Sequence, residues 1–212
     1  MEPRVGRCRG AGRRRLEASV GAAGGEGEAD LKQRSNPRIS ETWRRLRLYV
    51  AELRAPFFAA SLVPVLYGAA LGWSRTGTIA VLPLLLTVVA VTGVHAGANV
   101  INDYFDHLNG NDAANRDFVR PFTGGSRMIQ KGLLEPGQVR RLAVVCFAVG
   151  IAAGAPLALR NGVLLVLGVV AVLCGVFYSA PPVHLAARGL GELTVGVVFG
   201  ILPVLAAHIA ET

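Results

Sequence analysis

Acidic residues are scarce in this chain, and their placement is more telling than their number. The 212 residues hold 14 Asp and Glu against 22 Lys and Arg, and no acid lies between Leu53 and Asn102. A stretch that long without a carboxylate excludes the charged outer face of a soluble amphipathic fold. Cysteine is sparse as well. Cys8, Cys146 and Cys174 stand apart from one another, two of them inside apolar segments, so no spacing suggests a disulfide framework or a zinc site. The first forty residues hold few large apolar side chains. Residues 1–41, rich in Gly, Ala, Arg and Glu and carrying Arg13-Arg14-Arg15, cannot bury a core and contain no apolar h-region of a secretory signal. A disordered basic arm is expected there.

What the rest of the chain has in abundance is apolar residue in blocks. Hydrophobic residues make up 52% of the sequence, and the mean hydropathy is +0.45. The blocks fall at about 55–73, 79–98, 142–159, 163–178 and 193–207, each near the ~20 residues that cross a bilayer as a helix. The expected fold is therefore all-α: a polytopic transmembrane bundle of five spans over residues 42–212. Gly68/Gly72, Gly93/Gly97, Gly150/Gly154 and Gly196/Gly200 repeat a spacing of small residues that lets membrane helices approach closely. Residues 42–54, with Trp43, Leu46, Leu48, Tyr49 and Leu53 among Arg44, Arg45, Arg47 and Arg54, read as an amphipathic interfacial helix leading into the first span.

Basic residues orient the bundle. Thirteen of the 22 Lys and Arg precede residue 55 and six lie in 99–141, whereas 74–78, 160–162 and 179–192 hold one each. By the positive-inside rule the N-terminus and the loops at about 99–141 and 179–192 face the cytoplasm, the last by alternation more than by charge. The basic arm suits anionic membrane lipids rather than nucleic acid, since no folded soluble domain accompanies it.

Where the second apolar block meets the basic loop stands Asn99-Val-Ile-Asn102-Asp103-Tyr-Phe-Asp106-His-Leu-Asn-Gly110-Asn-Asp112. On a helix Asn99, Asn102, Asp103 and Asp106 share one face, at i, i+3, i+4 and i+7. Crowded like charges repel unless a cation sits among them, and hard oxygen ligands from carboxylate and amide suit Mg²⁺. A solvated helix end is the ordinary alternative. His95, one turn before Asn99, is read as a buried histidine satisfying a neighbour within the bundle.

The following loop carries Gly124-Gly125-Ser126-Arg127 and Lys131. Backbone N–H groups, a hydroxyl and cations are what a phosphate needs, although the Gly-Lys-Ser/Thr end of a P-loop is absent. Beside metal-binding carboxylates such a loop would form a cradle for a diphosphate. Glu135-Pro136-Gly137-Gln138 then starts the third span.

These motifs, together with Tyr178-Ser-Ala-Pro-Pro182 and Arg188-Gly-Leu-Gly-Glu192, resemble the UbiA superfamily of intramembrane prenyltransferases, and within it the 1,4-dihydroxy-2-naphthoate polyprenyltransferase branch of menaquinone synthesis. The resemblance covers about residue 52 to the C-terminus. It implies an enzyme that moves a polyprenyl group from a polyprenyl diphosphate to an aromatic acceptor, with Mg²⁺ as cofactor. Asn99, Asn102, Asp103, Asp106 and Asp112 match the metal-binding motif. Asp103, Asp106, Arg127 and Lys131 match catalytic positions, and Arg127, Lys131, Tyr178 and Arg188 fall where substrate is bound.

Two departures accompany the resemblance. Counted as N-x-x-x-D-x-x-x-D from Asn99, the motif would end at His107, so the match runs instead to Asp112. The family has about nine spans and a second aspartate-rich motif, whereas after Asp117 the acids here are Glu135, Glu192 and Glu211. The expectation is that residues 1–212 correspond to the N-terminal part of such an enzyme and do not turn over substrate alone. Another UbiA-type prenyltransferase with a different acceptor is the alternative within the resemblance, and a non-enzymatic polytopic transporter or assembly protein is the competing class, since acids in a membrane helix would serve ion binding too.

Overall fold

The computed structural model describes residues 37–115, 117 and 124–212. The expected disordered arm, apart from its last few residues, and loop residues such as Arg116, Arg120 and Thr123 lie outside them. Two units are distinguished, one ending at Leu46 and the other running from Arg47 to Thr212. In the first, Glu41 accepts hydrogen bonds from Arg44 at 2.8 and 2.9 Å and from Arg45 at 3.0 Å, all exposed pairs one helical turn apart. Being exposed to solvent, such pairs add little to stability.

Among the described residues the fold is helical throughout, without strands. Helix α1 (Pro37–Glu52) is followed by a tight 3₁₀ turn (Ala55–Phe58) and α2 (Ala59–Thr76). After Gly77, in the left-handed conformation that closes α2, comes α3 (Val81–Leu108). A one-turn helix, α4 (Asn111–Ala114), precedes the loop, and α5 (Pro136–Arg160) and α6 (Gly162–Phe177) follow it. The last element, α7 (Ala186–Glu211), is kinked at Gly189, whose φ of 74° is left-handed, and contains a wide π turn at Gly196–Ile201. The Glu135 turn behaves as its sequence suggests: Glu135 and Gln138 form a reciprocal capping box, with Pro136 in the first turn.

By length and composition four helical stretches can cross a membrane: Ser40–Thr76, Val81–Leu108, Pro136–Arg160 and Ala186–Glu211. The fourth apolar block differs from expectation. Its helix, Gly162–Phe177, has 16 residues, about 24 Å at 1.5 Å per residue, short of a hydrocarbon core of about 30 Å. Asn161 fixes its start by accepting the Val163 N–H at 2.9 Å, and the chain leaves the helix at Tyr178.

Helix α3 is the hub, packed most extensively against α5 and also touching α2, α6 and the end of α7. The α3–α5 contact is possible because both helices present glycine. A Cβ on Gly93 would stand 2.7 Å from the backbone of Gly150, and one on Gly150 would stand 2.8 Å from Val94 N. Gly68 and Gly72 do the same for α2 against Val204, Ala207 and Glu211, whereas Gly196 and Gly200 face open space. At one end of the bundle Val100, Ile101, Leu134, Val139, Ala143 and Phe147 form a buried cluster, with Met128 and Ile129 packed against it. Residues 126–134 are thereby drawn into the bundle and held beside the last turns of α3.

Candidate active site

The last three turns of α3 carry the acid-rich motif, and the structure sorts its residues into linked groups. Asn102 and Asp106, one turn apart, share a face as the spacing requires: Asn102 Nδ2 donates to Asp106 Oδ2 at 2.9 Å. The Asn102 amide oxygen accepts from the Ser179 hydroxyl, and Asn109 Nδ2 donates to the Ser179 carbonyl at 3.0 Å. The segment after α6 is thus tied to α3. Asn99 is turned toward the Leu53 carbonyl, 3.4 Å away.

Asp103 is 3% exposed. Its Oδ2 accepts the Ser126 N–H at 2.8 Å, while Arg54 stands 3.9 Å from Oδ1, an ion pair without a hydrogen bond. The Ser126 hydroxyl donates to Glu52 Oε2 and itself accepts the Met128 N–H at 3.1 Å. Reaching this position demands an unusual backbone. Gly124, Gly125 and Arg127 all have positive φ, of 80°, 62° and 58°, a conformation that costs any residue but glycine about 1–2 kcal/mol. At Gly125 the requirement is doubled, because a Cβ would collide with Asp103 Oδ1.

Asp112, brought round by Gly110 at φ 74°, is also buried. Its Oδ2 accepts from Gln130 at 2.8 Å. Arg127 donates to the main-chain carbonyls of Asp112 at 2.8 Å and Asn115 at 3.1 Å. Burial, reinforced by the charges of Asp103 and Asp106, pushes the Asp112 carboxyl up to about 6, while Arg127 and Gln130 oppose the shift.

The structure therefore brings together Asn102, Asp103, Asp106, Asp112 and Arg127 at one end of the bundle. The donors of the Gly-Gly-Ser-Arg segment are arranged differently from the sequence reading: those of Ser126 are turned onto carboxylates, and Arg127 braces main-chain carbonyls. Lys131 and Arg188 are exposed, and Arg188 donates to the Pro182 carbonyl at 3.1 Å. Tyr178 is half-buried with its hydroxyl beside Gly191, and burial raises its phenol, followed by the charges of Glu192 and Asp106. His95 is hydrogen-bonded to Ser61 at 2.6 Å and lies between the rings of Phe58 and Phe199, as a buried structural histidine would.

Sequence reasoning missed Glu52 and Arg54, both of which reach the Asp103 neighbourhood. Surrounded by arginine and aromatic residues, they read as part of a membrane anchor. The one available signal was that Glu52 is the last acid before the long acid-free stretch.

Among the described residues no three His, Cys, Asp or Glu side chains converge as a metal-binding group. The site nevertheless fits a hard divalent cation in another respect. Asp103 Oδ1 is buried without a hydrogen-bond partner among the described residues, and the surrounding donors are carboxylate and amide oxygens, the chemistry that Mg²⁺ selects. With one or two carboxylates the protein would hold such an ion and leave its other positions to water and phosphate.

A membrane helical bundle with buried carboxylates gathered at the end of its central helix is an integral membrane protein organised around an acidic site. The sequence belongs to the UbiA prenyltransferase family, whose model matches residues 61–212. Similar proteins include the UbiA prenyltransferase domain-containing protein 1 homolog of Drosophila melanogaster, 29% identical over 211 residues, covering 93% of this chain and 55% of that protein. UbiA prenyltransferase domain-containing protein 1 of Homo sapiens is 31% identical over 174 residues, covering 79% and 48% respectively. The Gallus gallus protein of the same name is 31% identical over 176 residues, covering 80% and 50%. The chain spans about half the length of the curated relatives it matches.

Proposed function

We propose that this chain takes part in Mg²⁺-dependent transfer of a polyprenyl group from a polyprenyl diphosphate to an aromatic acceptor, 1,4-dihydroxy-2-naphthoate, as a step of menaquinone synthesis. The observation that carries the reading is the placement of Asp103 and Asp106 at the end of α3, with Asp112 on the short helix that follows, beside a loop that leaves Asp103 Oδ1 buried and without a hydrogen bond among the described residues. Family membership adds the reaction class. The acceptor follows from the resemblance of the motifs to the naphthoate branch.

Asp103 and Asp106 would hold the ion, with Asn102 orienting Asp106 and Asp112 contributing from the short helix. Bound Mg²⁺ would offset the charge that develops on the departing diphosphate. Lys131, exposed on the loop before α5, and Arg188, exposed in the first turn of α7, are suited to meet the diphosphate from the water side, and Arg127 fixes the loop that carries Lys131. Tyr178, beside the acid cluster, is placed to line the acceptor site. An apolar cavity of about 490 Å³, bounded by residues such as Val94, His95, Leu167 and Phe199, lies between the helices, lined on α3 by the turns that precede the acidic residues. Its walls suit an isoprenoid chain and keep out the water that would quench an allylic cation. The basic loops and N-terminal segment are assigned to the cytoplasmic side.

The test is prenyl transfer by the native full-length protein in membranes, with dihydroxynaphthoate and a radiolabelled polyprenyl diphosphate. Product is expected with Mg²⁺, its loss on chelation and its return on readdition. Turnover unaffected by chelation, or no product with any aromatic acceptor of this class, would overturn the reading.

A further inference from the structure

Glu52 is a buried carboxylate that the proposed chemistry leaves unused. It precedes residue 61, where the family match begins, and it closes α1 at 0% exposure. Local helix energetics do not explain it, because the C-terminal end of a helix disfavours a negative side chain. Its Oε2 accepts the Ser126 hydroxyl, and its Oε1 is buried with no hydrogen-bond partner among the described residues.

Asp103 repeats this arrangement from α3. Its Oδ2 takes the N–H of the same serine at 2.8 Å, and its Oδ1 is buried and without a hydrogen bond among the described residues. One serine thus holds two carboxylates, each by one oxygen, and leaves the second oxygen of each without a hydrogen bond among the described residues. A carboxylate with a purely structural task would direct both oxygens at donors, since an orphaned buried acceptor carries its full desolvation cost. The absence of a side chain at Gly125 keeps this space clear, because a Cβ there would meet Asp103 Oδ1. Arg54 stands 3.9 Å from Asp103 Oδ1, too far to satisfy it by hydrogen bonding.

We propose that Glu52 is a ligand of a divalent cation that it shares with Asp103 through Glu52 Oε1 and Asp103 Oδ1. The inference rests on the reading of Asp103 as a cation ligand and adds to it a carboxylate from the helix before the first apolar block. Two carboxylates are a normal protein complement for Mg²⁺, whose remaining positions go to water and substrate phosphate. Ser126 then acts as a positioning residue, setting the orientation of both carboxylates through the oxygens that face away from the ion.

The test is Mn²⁺ binding, read by electron paramagnetic resonance, to the detergent-purified full chain and to Glu52→Gln and Asp103→Asn. Circular dichroism and monodisperse elution report folding. Each variant is expected to weaken Mn²⁺ binding at least tenfold. Wild-type affinity in Glu52→Gln together with loss in Asp103→Asn would overturn the role of Glu52 and leave the Asp103 reading intact. Absence of Mn²⁺ binding by the wild-type protein would overturn both. A second measurement needs no variant: Mn²⁺ should protect Glu52 of the wild-type protein from modification by dicyclohexylcarbodiimide, read by peptide mass. Equal modification with and without Mn²⁺ would count against the proposal.

Discussion

Gly125 shows how closely single residues are fitted around the acidic site. Its backbone is left-handed and its missing side chain makes room for the Asp103 carboxylate, whereas Gly77 is equally left-handed but has nothing within 4 Å of a built Cβ. The two positions separate backbone strain from site disruption. Both Gly77→Ala and Gly125→Ala should lose about 1–2 kcal/mol from strain, measurable as a lowered unfolding temperature in detergent. Gly125→Ala should in addition displace Asp103 and reduce prenyl transfer at least tenfold, while Gly77→Ala keeps its activity. Equal activity in the two variants would show that the Gly125–Asp103 contact has no bearing on the reaction. At this scale the i, i+4 relation of Asn102 and Asp106 was legible, because helical periodicity fixes which residues share a face. Glu52 was not. Its link to the site runs through Ser126, 74 positions away, and no local pattern encodes a tertiary hydrogen bond.

The pairing of helices depends on a few glycines, and not every pair with the right spacing is used. Gly93 and Gly150 bring α3 and α5 into backbone contact, while Gly196, with the same spacing to Gly200, meets nothing. Gly93→Leu should therefore force α3 and α5 apart, costing about 2 kcal/mol or more by overpacking, and should shift the site because α3 carries it. Gly196→Leu should stay within about 0.5 kcal/mol of wild type. Thermal unfolding of the two variants in one detergent makes the comparison, and an equal loss in both would contradict the assigned helix contacts. The apolar blocks themselves were legible from hydropathy alone. The shortness of α6 was less so, because residue 178 continues the apolar block while the backbone turns away after Phe177 to bring Ser179 onto Asn102 and Asn109. A tertiary tie at the site, and not a loss of hydrophobicity, sets that boundary.

For the whole molecule, charge asymmetry predicts an orientation that can be measured directly. The loop after α4 and the segment joining α2 to α3 should lie on opposite sides of the membrane if successive helices cross it. Single cysteines at Leu133 and Thr78, both exposed, should react with a membrane-impermeant maleimide from opposite faces, Leu133→Cys from the cytoplasmic one. Labelling of both from the same side would refute the topology. A cytoplasmic site would let the diphosphate enter from water while its tail remains in the apolar cavity between the helices, so the bundle would serve as scaffold and as solvent for the substrate.

The central claim is that the carboxylates at the end of α3 carry the cation on which prenyl transfer depends. The most direct measurement is prenyl transfer by full-length protein bearing Asp103→Asn or Asp106→Asn, in membranes where equal insertion has been established by immunoblot after alkaline extraction. Neither substitution changes side-chain volume appreciably, but each removes a charged hard-oxygen ligand. Transfer at saturating Mg²⁺ should fall about 100-fold or more in both, the loss associated with removing a transition-state charge partner. Activity near wild type in both variants, with Mg²⁺ present, would contradict the assignment of the site.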